Sequence, residues 1–340
     1  MRPIEDYIFN PDRSIGGAII PLVGPPGVGK TVGLSQIAMQ HFKNNHKVLS
    51  RGTKQAQWVW YLANGYPVTI WNNENIENFE AFISADQDNE KEEVDLEEVA
   101  DVRINEWKTP AELVSRLHSN RINIINVPGL EGDTANTKYH LYYFRKIFID
   151  LLQALIERED LSFHTFIADE IGDLLPSQNE LRDPFYSLVA EDMPKRLAQL
   201  RKQNCFMFGA GHSTHDMNYL FWKVKSNSIV YMSNANVKKS ITPEIDQSYV
   251  SRMDRGEFAM PPKDKDHFKM PKQPHTLDFV PESETRELRL DWESDAPDLL
   301  RQNWRKVAAK KLNLDHGMNQ NTVAEVLGVS QSQVSKWVNS

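Results

Sequence analysis

The chain has 340 residues, of which 40% are hydrophobic and 25% are charged, so its composition is that of a globular protein with about two domains. Its net charge is −8, and a single cysteine, Cys205, excludes a disulfide framework and a cysteine-rich zinc site. The first residues lack the apolar run of a signal peptide, and the apolar stretch 18–23 is too short to cross a bilayer. We therefore expect a cytoplasmic protein without a membrane segment.

The charge is unevenly distributed along the chain. Residues 72–101 carry twelve acidic residues and one lysine, whereas residues 301–340 have a net charge of +4. The segment 84–101 is too acidic for a core and is predicted to be a solvated surface loop or insertion. Because the basic residues are concentrated elsewhere, the negative total does not exclude a nucleic-acid partner.

Strands and helices alternate through the first 258 residues. We predict strands at 17–23, 68–71, 102–107, 122–127, 164–169, 205–211 and 228–233. We predict helices at 30–43, 110–119, 138–157, 184–203 and 216–224. This alternation predicts an α/β fold in which a parallel sheet carries helices on both faces.

The composition changes after residue 258. Residues 259–275 contain four prolines and four lysines, so the segment 259–296 is predicted to be an exposed connector. A proline two residues after Asp295 then indicates the start of a helix over about 297–312. The predicted domains are therefore residues 1–258, the connector 259–296 and a small all-α module at 297–340.

A glycine-rich loop between the first strand and the first helix fits the pattern G-x-x-x-x-G-K-[ST] at every position. It consists of Gly24, Pro25, Pro26, Gly27, Val28, Gly29, Lys30 and Thr31. The glycines allow backbone N–H groups to face phosphate oxygens at a helix N-terminus. Lys30 can then reach the β- and γ-phosphates of ATP, and the Thr31 hydroxyl can bind Mg²⁺. The alternative is a glycine-rich turn without a ligand.

The strand at 164–169 ends in two carboxylates, Asp169 and Glu170. Asp169 is placed to bind Mg²⁺, and Glu170 to polarise an attacking water. The second carboxylate favours hydrolysis over transfer to another substrate. The alternative is a strand that ends in ordinary capping residues.

The strand at 205–211 is followed by His212, Ser213 and Thr214. His212 is the first polar residue after the strand and the leading candidate for a contact with the γ-phosphate or the water; the alternative is a loop-capping role. A metal site formed by His212 and His215 is not supported, because no cysteine or carboxylate cluster accompanies them.

The motifs GPPGVGKT, FIADE and LAQLRKQNCFMFGAGHS resemble those of P-loop ATPases with an additional catalytic glutamate. Within that group, the HerA/FtsK-type DNA pumps and the zonula-occludens-toxin-like phage and virus ATPases are most similar, over about residues 15–240. The resemblance implies a homo-oligomeric ring such as a hexamer, in the cytoplasm or associated with a virion. It also implies that Arg201, or alternatively Arg196, acts in trans on a neighbour's γ-phosphate, and that His212 occupies a position where the group usually has Gln or Thr.

Residues 320–337 resemble the helix-turn-helix of phage repressors. A small Ala324 falls where the two helices cross, and Gly328 at the turn between them. The residues left to face double-stranded DNA are Ser330, Gln331, Ser332, Gln333, Ser335 and Lys336. Ser330 is also expected to cap the second helix, and Lys336 to contact phosphate. The alternative is a helical hairpin used for protein contact.

Three functions follow from these motifs. The first is an ATP-hydrolysing motor that translocates or packages DNA, of a viral or plasmid type. The second is a nucleotide-gated DNA-binding regulator or helicase loader without translocation. The third is a virion-assembly or export ATPase that does not move DNA.

Overall fold

The structure is a computed structural model. It describes residues 16–51, 61, 65–73, 79–84, 91–93, 101–126, 148–160, 162–174, 193–214, 229–237, 245–260, 275–276, 290–294, 306, 309–315, 318–327 and 329–339. The strands are β1 (Ile19–Val23), β2 (Lys47–Arg51), β3 (Val68–Asn73), β4 (Phe79–Ser84), β5 (Lys91–Glu93), β6 (Val102–Trp107), β7 (Ile122–Asn126), β8 (His164–Ala168), β9 (Cys205–Gly211), β10 (Val230–Met232), β11 (Glu257–Ala259), β12 (His275–Thr276) and β13 (Leu290–Ser294). The α-helices are α1 (Lys30–Lys43), α2 (Pro110–Arg116), α3 (148–157), α4 (Ile171–Leu174), α5 (Met193–Lys202), α6 (Gln247–Val250), α7 (Gln320–Leu327) and α8 (Gln331–Val338).

The main sheet has ten strands in the order β12-β11-β10-β1-β9-β8-β2-β7-β3-β6. Every pair from β10 to β6 is parallel, and β11 and β12 extend the sheet in antiparallel fashion. Strand β9 lies between β1, which leads into the glycine-rich loop, and β8, which leads into the two carboxylates. Because these strands are parallel, their carboxyl ends meet at one edge of the sheet.

Apolar side chains pack on both faces of this sheet. Successive residues of a strand point to opposite faces, so Ile20 and Leu22 of β1 join one core cluster and Ile19 and Val23 join the other. Helix α1 covers the first face, where Leu34 belongs to the same cluster as Ile20. The helices on the other face contribute Leu113, Val114, Leu151, Leu152, Leu155, Leu197 and Leu200. The predicted α/β fold with a helix-covered parallel sheet is confirmed.

Pro21 lies inside a central strand although proline cannot donate a ladder hydrogen bond. Ala18 and Gly24 bond to the β9 side, through Met207 N and Gly211 O. Since backbone groups alternate along a strand, the nitrogen of Pro21 faces β10 instead. Pairing with β10 begins only at Leu22, so the missing donor falls before that ladder starts.

Three parts of the sheet system differ from the sequence prediction. Strand β2 was not predicted, yet it lies in the middle of the main sheet. Strands β4 and β5 pair with β13 in a separate three-stranded antiparallel sheet. Strand β5 lies within the acidic segment 84–101, for which a surface loop or insertion was predicted, and β12 and β13 lie within the predicted connector 259–296. Strands β4, β5 and β13 were missed because they form by backbone pairing with one another. A strand of an antiparallel sheet needs only one covered face, so its sequence need not be apolar throughout.

Helix boundaries also differ at some points. Helix α2 begins after Thr109, whose hydroxyl accepts the N–H of Glu112 at 3.2 Å, with Pro110 in the first turn. It ends at Arg116 rather than at residue 119, because Leu117 takes an extended ψ of 130°. The predicted helical residues 138–147, 184–192 and 216–224 lie outside the described residues, as does the predicted start of a helix at 297. Among the described helices, none is long and apolar enough to cross a membrane.

A buried histidine pair lies between helix α1 and strand β8. The Nδ1 atoms of His41 and His46 are 2.7 Å apart, and both lie within 3.0 Å of the Thr165 hydroxyl. Burial lowers the pKa of His41 well below its usual value, and the charge on His46 adds to this effect. Burial also lowers the pKa of His46 to about 4, so the folded protein holds this pair neutral at neutral pH.

Acidification should destabilise the fold as pH falls from 6.5, the usual histidine pKa, to about 4. In that window the unfolded chain binds a proton at His46 that the folded chain does not, so stability decreases with decreasing pH. His164, whose pKa burial also lowers to about 4, acts in the same direction. His46 and His164 should each contribute about 3 kcal/mol to the loss of stability. Urea unfolding across this pH range measures it, and His46→Gln should flatten the dependence; a variant profile as steep as the wild type would assign the acid sensitivity to other groups.

Candidate active site

The glycine-rich loop curls at the carboxyl end of β1. Gly27 and Gly29 have φ values of +80° and +99°, a region that side-chain-bearing residues avoid. A Cβ on Gly24 would lie 2.7 Å from Cβ of Met232 on the neighbouring strand β10. The N–H of Gly24 donates to the carbonyl of Gly211 at 3.2 Å, which ties the loop to the end of β9. The loop conformation therefore depends on glycine at these positions.

Lys30 lies across the loop and is only 6% exposed. Its ammonium donates to the carbonyls of Gly24 and Pro25 at 2.7 and 2.9 Å. The first turn of helix α1 contains no acidic residue of its own. A glycine-rich loop, a helix N-terminus and a lysine together suit the binding of a phosphate chain.

Thr31 and Asp169 meet across the site from different elements. The Thr31 hydroxyl donates to Oδ2 of Asp169 at 2.7 Å, and Asp169 is 7% exposed. These are oxygen ligands of the kind Mg²⁺ prefers, and this ion is commonly held by one or two carboxylates together with substrate phosphates. The described residues contain no group of three or more His, Cys, Asp or Glu side chains that could hold a metal. The pair fits Mg²⁺ held jointly with a nucleotide.

Glu170 takes a left-handed backbone conformation, with φ of +50°. For a residue other than glycine this conformation costs about 1–2 kcal/mol. The N–H of Glu170 donates to Oδ1 of Asp169 at 3.0 Å, and the Glu170 carboxylate is 30% exposed. A partly exposed carboxylate at the strand end can contact both a phosphate chain and water.

His212 connects Lys30 to Glu170. Its Nδ1 lies 3.2 Å from the Lys30 ammonium, and its Nε2 lies 3.3 Å from Oε2 of Glu170. An ammonium can only donate, so Nδ1 must accept and the proton of a neutral imidazole resides on Nε2. Nε2 therefore faces the Glu170 carboxylate at ion-pair distance. His212 thus lies between the phosphate-loop lysine and the second carboxylate.

The structure thus brings together Lys30, Thr31, Asp169, Glu170 and His212, all five predicted separately from sequence. Of the other candidates after β9, Thr214 is 2% exposed and its hydroxyl has no hydrogen-bond partner among the described residues. Among the described residues after β9, it is His212 that contacts Lys30 and Glu170. His215 lies outside the described residues.

Two residues at the site were missed by sequence reasoning. Arg51, the last residue of β2, is 3% exposed and donates to the carbonyls of Asp169 and Glu170, each at 3.2 Å. Tyr61 is 1% exposed; burial raises its pKa to about 12, and the charge of Asp169 acts in the same direction. The only sequence signal was a charged residue at the end of a short strand, and that strand was itself not predicted.

Arg201 lies at the opposite edge of the sheet from this site. Its carbonyl accepts the N–H of Gly17, just before β1 begins, at 2.8 Å. The seven residues of β9 then separate it from His212, a distance of about 20 Å. Arg201 therefore cannot reach the phosphate loop of its own chain, and its action in trans stays a prediction. Arg196, the alternative, donates to the side chain of Gln153 on α3.

The C-terminal helices α7 and α8 form a separate small cluster. Ser330 caps α8 as predicted, accepting the N–H of Gln333 at 3.2 Å. Gln331 donates to the side chain of Gln320 at 3.1 Å, which joins the first residues of the two helices. The buried core of the cluster consists of Ala309, Leu312, Met318, Val323, Ala324, Leu327 and Val334. Gly328, predicted to form the turn, lies outside the described residues.

The predicted DNA-facing residues lie at the surface of α8. Ser330, Gln331, Ser332 and Lys336 are exposed, while Gln333 and Ser335 are half-buried. Val334 alone among the residues of this helix is fully buried. One face of α8 therefore packs on α7, and polar side chains cover the other.

The strand order, with β9 between β1 and β8, together with the phosphate loop and the strand that ends in two carboxylates, is that of a P-loop NTPase fold. No family model and no curated protein matches the chain. The sequence resemblance to P-loop ATPases of this class is thus supported by the arrangement of the chain's own residues.

Several solved structures are similar to the chain. The genome packaging NTPase B204 from Sulfolobus turreted icosahedral virus 2, in complex with AMPPCP, is 11% identical, with a TM-score of 0.39 over 78% of this chain and 99% of that one. VirB4 of Thermoanaerobacter pseudethanolicus is 10% identical, with a TM-score of 0.45 over 78% and 90%. The N-terminal domain of zonular occludens toxin from Neisseria meningitidis is 10% identical, with a TM-score of 0.28 over 82% and 94%. At these values, assignment of function depends on the chain's own geometry.

Proposed function

We propose that the chain is a Mg²⁺-dependent ATPase that acts as a DNA-associated motor, translocating or packaging DNA. The observation that carries the ATPase assignment is the meeting of a phosphate-loop lysine, a threonine–aspartate pair and a histidine-linked glutamate at one edge of the sheet. Each group has a distinct task in phosphoryl transfer to water.

Binding of the nucleotide is assigned to the loop from Gly24 to Thr31. Its backbone N–H groups and the N-terminus of α1 face the phosphates. Lys30 exchanges its bonds to the carbonyls of Gly24 and Pro25 for phosphate oxygens. Thr31 and Asp169 would hold Mg²⁺, whose charge neutralises phosphate oxygens when it is bound.

Hydrolysis is assigned to Glu170. Its carboxylate orients a water molecule and accepts a proton from it as the water oxygen bonds to the γ-phosphorus. The bond from that phosphorus to the bridging oxygen breaks, and ADP and inorganic phosphate leave. His212 hydrogen-bonds to Lys30 and lies 3.3 Å from the Glu170 carboxylate, so it is placed to relate phosphate binding to the position of that carboxylate.

Double-stranded DNA is the proposed partner of the C-terminal module. The segment 301–340 has a net charge of +4, and α8 exposes amides, hydroxyls and Lys336. Amide side chains suit base edges, whereas a lysine suits phosphate. The bond between Gln331 and Gln320 would hold the Gln331 amide in a fixed orientation at the start of the helix.

A motor also needs several subunits, and Arg201 is proposed to contact the nucleotide of a neighbouring one. Because Arg201 lies about 20 Å from its own site, any contact with a γ-phosphate must come from a neighbouring chain. A ring such as a hexamer supplies that geometry. We place the assembly in the cytoplasm or with a virion.

The alternative is a nucleotide-gated DNA-binding regulator or helicase loader, and it is favoured by the separate apolar core of the C-terminal helices. Native mass spectrometry with ATP, with and without duplex DNA, distinguishes the two functions. A closed ring whose ATP turnover rises with DNA supports the motor. A monomer or dimer that binds DNA with unchanged turnover supports the regulator.

Deleting residues 297–340 should weaken duplex binding and leave ATP hydrolysis intact. The deletion removes the C-terminal core but retains β13 and its pairing with β4. Fluorescence anisotropy at several salt concentrations measures the loss. Full DNA affinity in the truncated protein would instead favour a protein-binding hairpin.

Within the module, Lys336→Ala should weaken binding to all DNA sequences alike and flatten the salt dependence of binding. Gln331→Ala should instead relax the sequence preference at one base pair.

A further inference from the structure

Arg51 is a buried cation that bonds to the backbone of both acidic residues of the site. It is 3% exposed and donates from one guanidinium nitrogen to the carbonyls of Asp169 and Glu170, at 3.2 Å each. Strands β2 and β8 are paired in parallel, with Ser50 opposite Ile167. The register therefore places the end of β2 beside the residues that follow β8.

These bonds act on Glu170, whose backbone is left-handed. The N–H of Glu170 is held by Oδ1 of Asp169 at 3.0 Å, and its carbonyl is held by Arg51. Its φ of +50° is thus fixed by a partner on each side. The same conformation directs the Glu170 carboxylate to within 3.3 Å of His212.

We propose that Arg51 is a positioning residue that sets the place of the Glu170 carboxylate for hydrolysis. This inference rests on the proposed ATPase function. Arg51 bonds to the peptide groups of the catalytic segment, so it acts through Glu170. Its loss should therefore slow the chemical step and leave nucleotide binding almost unchanged.

Arginine suits this task better than other residues. A guanidinium remains charged when buried and presents planar donors that can satisfy two carbonyls at once. Lysine keeps the charge but offers a point donor of shorter reach, whereas methionine fills similar space with neither charge nor donor. Comparing arginine, lysine and methionine at position 51 therefore distinguishes the effect of hydrogen-bond donation from the effect of side-chain volume.

The chain offers a matched control in Arg121, at the opposite edge of the same sheet. It is 5% exposed and donates to the carbonyls of Val68 and Asp101 at 2.8 and 2.6 Å. Arg121→Met thus removes an equally buried guanidinium from carbonyl partners far from the site. If Arg51→Met and Arg121→Met lower the thermal stability equally, a difference in their activity cannot come from a difference in folding.

The test compares Arg51→Met, Arg51→Lys and Arg121→Met in the full chain. We expect Arg51→Met to lower kcat about 10- to 100-fold, because a small displacement of a catalytic group has an effect of this size. Its affinity for a non-hydrolysable ATP analogue should stay within about threefold of the wild type, and Arg51→Lys should recover part of kcat. Arg121→Met should leave kcat unchanged. An equal loss of kcat in both methionine variants would overturn the proposal. A loss of nucleotide affinity in Arg51→Met with kcat unchanged would overturn it as well.

Two further measurements make the result specific to Glu170. In a Glu170→Gln background, Arg51→Met should cause no additional loss of kcat, since both changes act on one group. Additive losses of kcat would count against the proposal.

A crystal structure of Arg51→Met should show the Glu170 carboxylate moved from His212 by about 1 Å or more, and an unmoved carboxylate would overturn the proposal. If the wild-type protein hydrolyses no ATP, the proposed function fails, and the crystal structure alone decides the role of Arg51.

Discussion

Replacing Glu170 with Gln should stop ATP hydrolysis while ATP stays bound. The amide has the size of the carboxylate and can occupy the same place beside His212. It cannot accept a proton from the attacking water, so turnover should fall about 10²- to 10⁴-fold. Because the side chain is 30% exposed, the change should hardly affect stability. Phosphate release measures the rate, and retention of labelled ATP on a filter measures binding.

A matched control is available at Glu159, an exposed carboxylate just before β8 and at the other end of that strand from Glu170. Glu159→Gln makes the same chemical change and should leave turnover at the wild-type value. Normal turnover in Glu170→Gln would remove this residue from the catalytic role. Loss of ATP binding in the same variant would assign Glu170 to nucleotide recognition instead.

The parts of the site that sequence could predict are those fixed by local chemistry. The loop from Gly24 to Thr31 requires a particular spacing, and the pair Asp169 and Glu170 follows directly from an apolar strand. Parallel strands then end at one edge of the sheet, so separate predictions for Lys30 and His212 meet at one site. Neither inference needs knowledge of how distant segments pair.

The parts that could not be predicted depend on such pairing. Strand β2 has the sequence KVLSR, in which charged and hydroxyl residues interrupt the apolar pattern, and its place beside β8 gives Arg51 its role. Strands β4 and β13 are separated by about 200 residues of chain, and acidic composition hides the neighbouring β5. Only the backbone hydrogen bonds of the folded sheet reveal these strands.

Replacing Lys30 with Ala should abolish ATP binding, and turnover with it. The change removes the buried ammonium that now bonds to Gly24 and Pro25 and that is placed to transfer to phosphate. Charge-assisted bonds of this kind contribute about 1.5–3 kcal/mol each, so losing two should weaken ATP binding about 10²- to 10⁴-fold. Calorimetry with a non-hydrolysable analogue measures the affinity.

Lys47→Ala provides the matched control for this last change. Lys47 begins β2 at the opposite edge of the sheet, and its ammonium pairs with Asp160 at 2.8 Å. Both variants lose the same side chain and the same charge, so a general effect of net charge would weaken ATP binding equally in the two. Only Lys30 lies at the phosphate loop, and only its removal should weaken binding. Affinity within about threefold of the wild type in Lys30→Ala would show that the backbone N–H groups of the loop suffice to hold the phosphates.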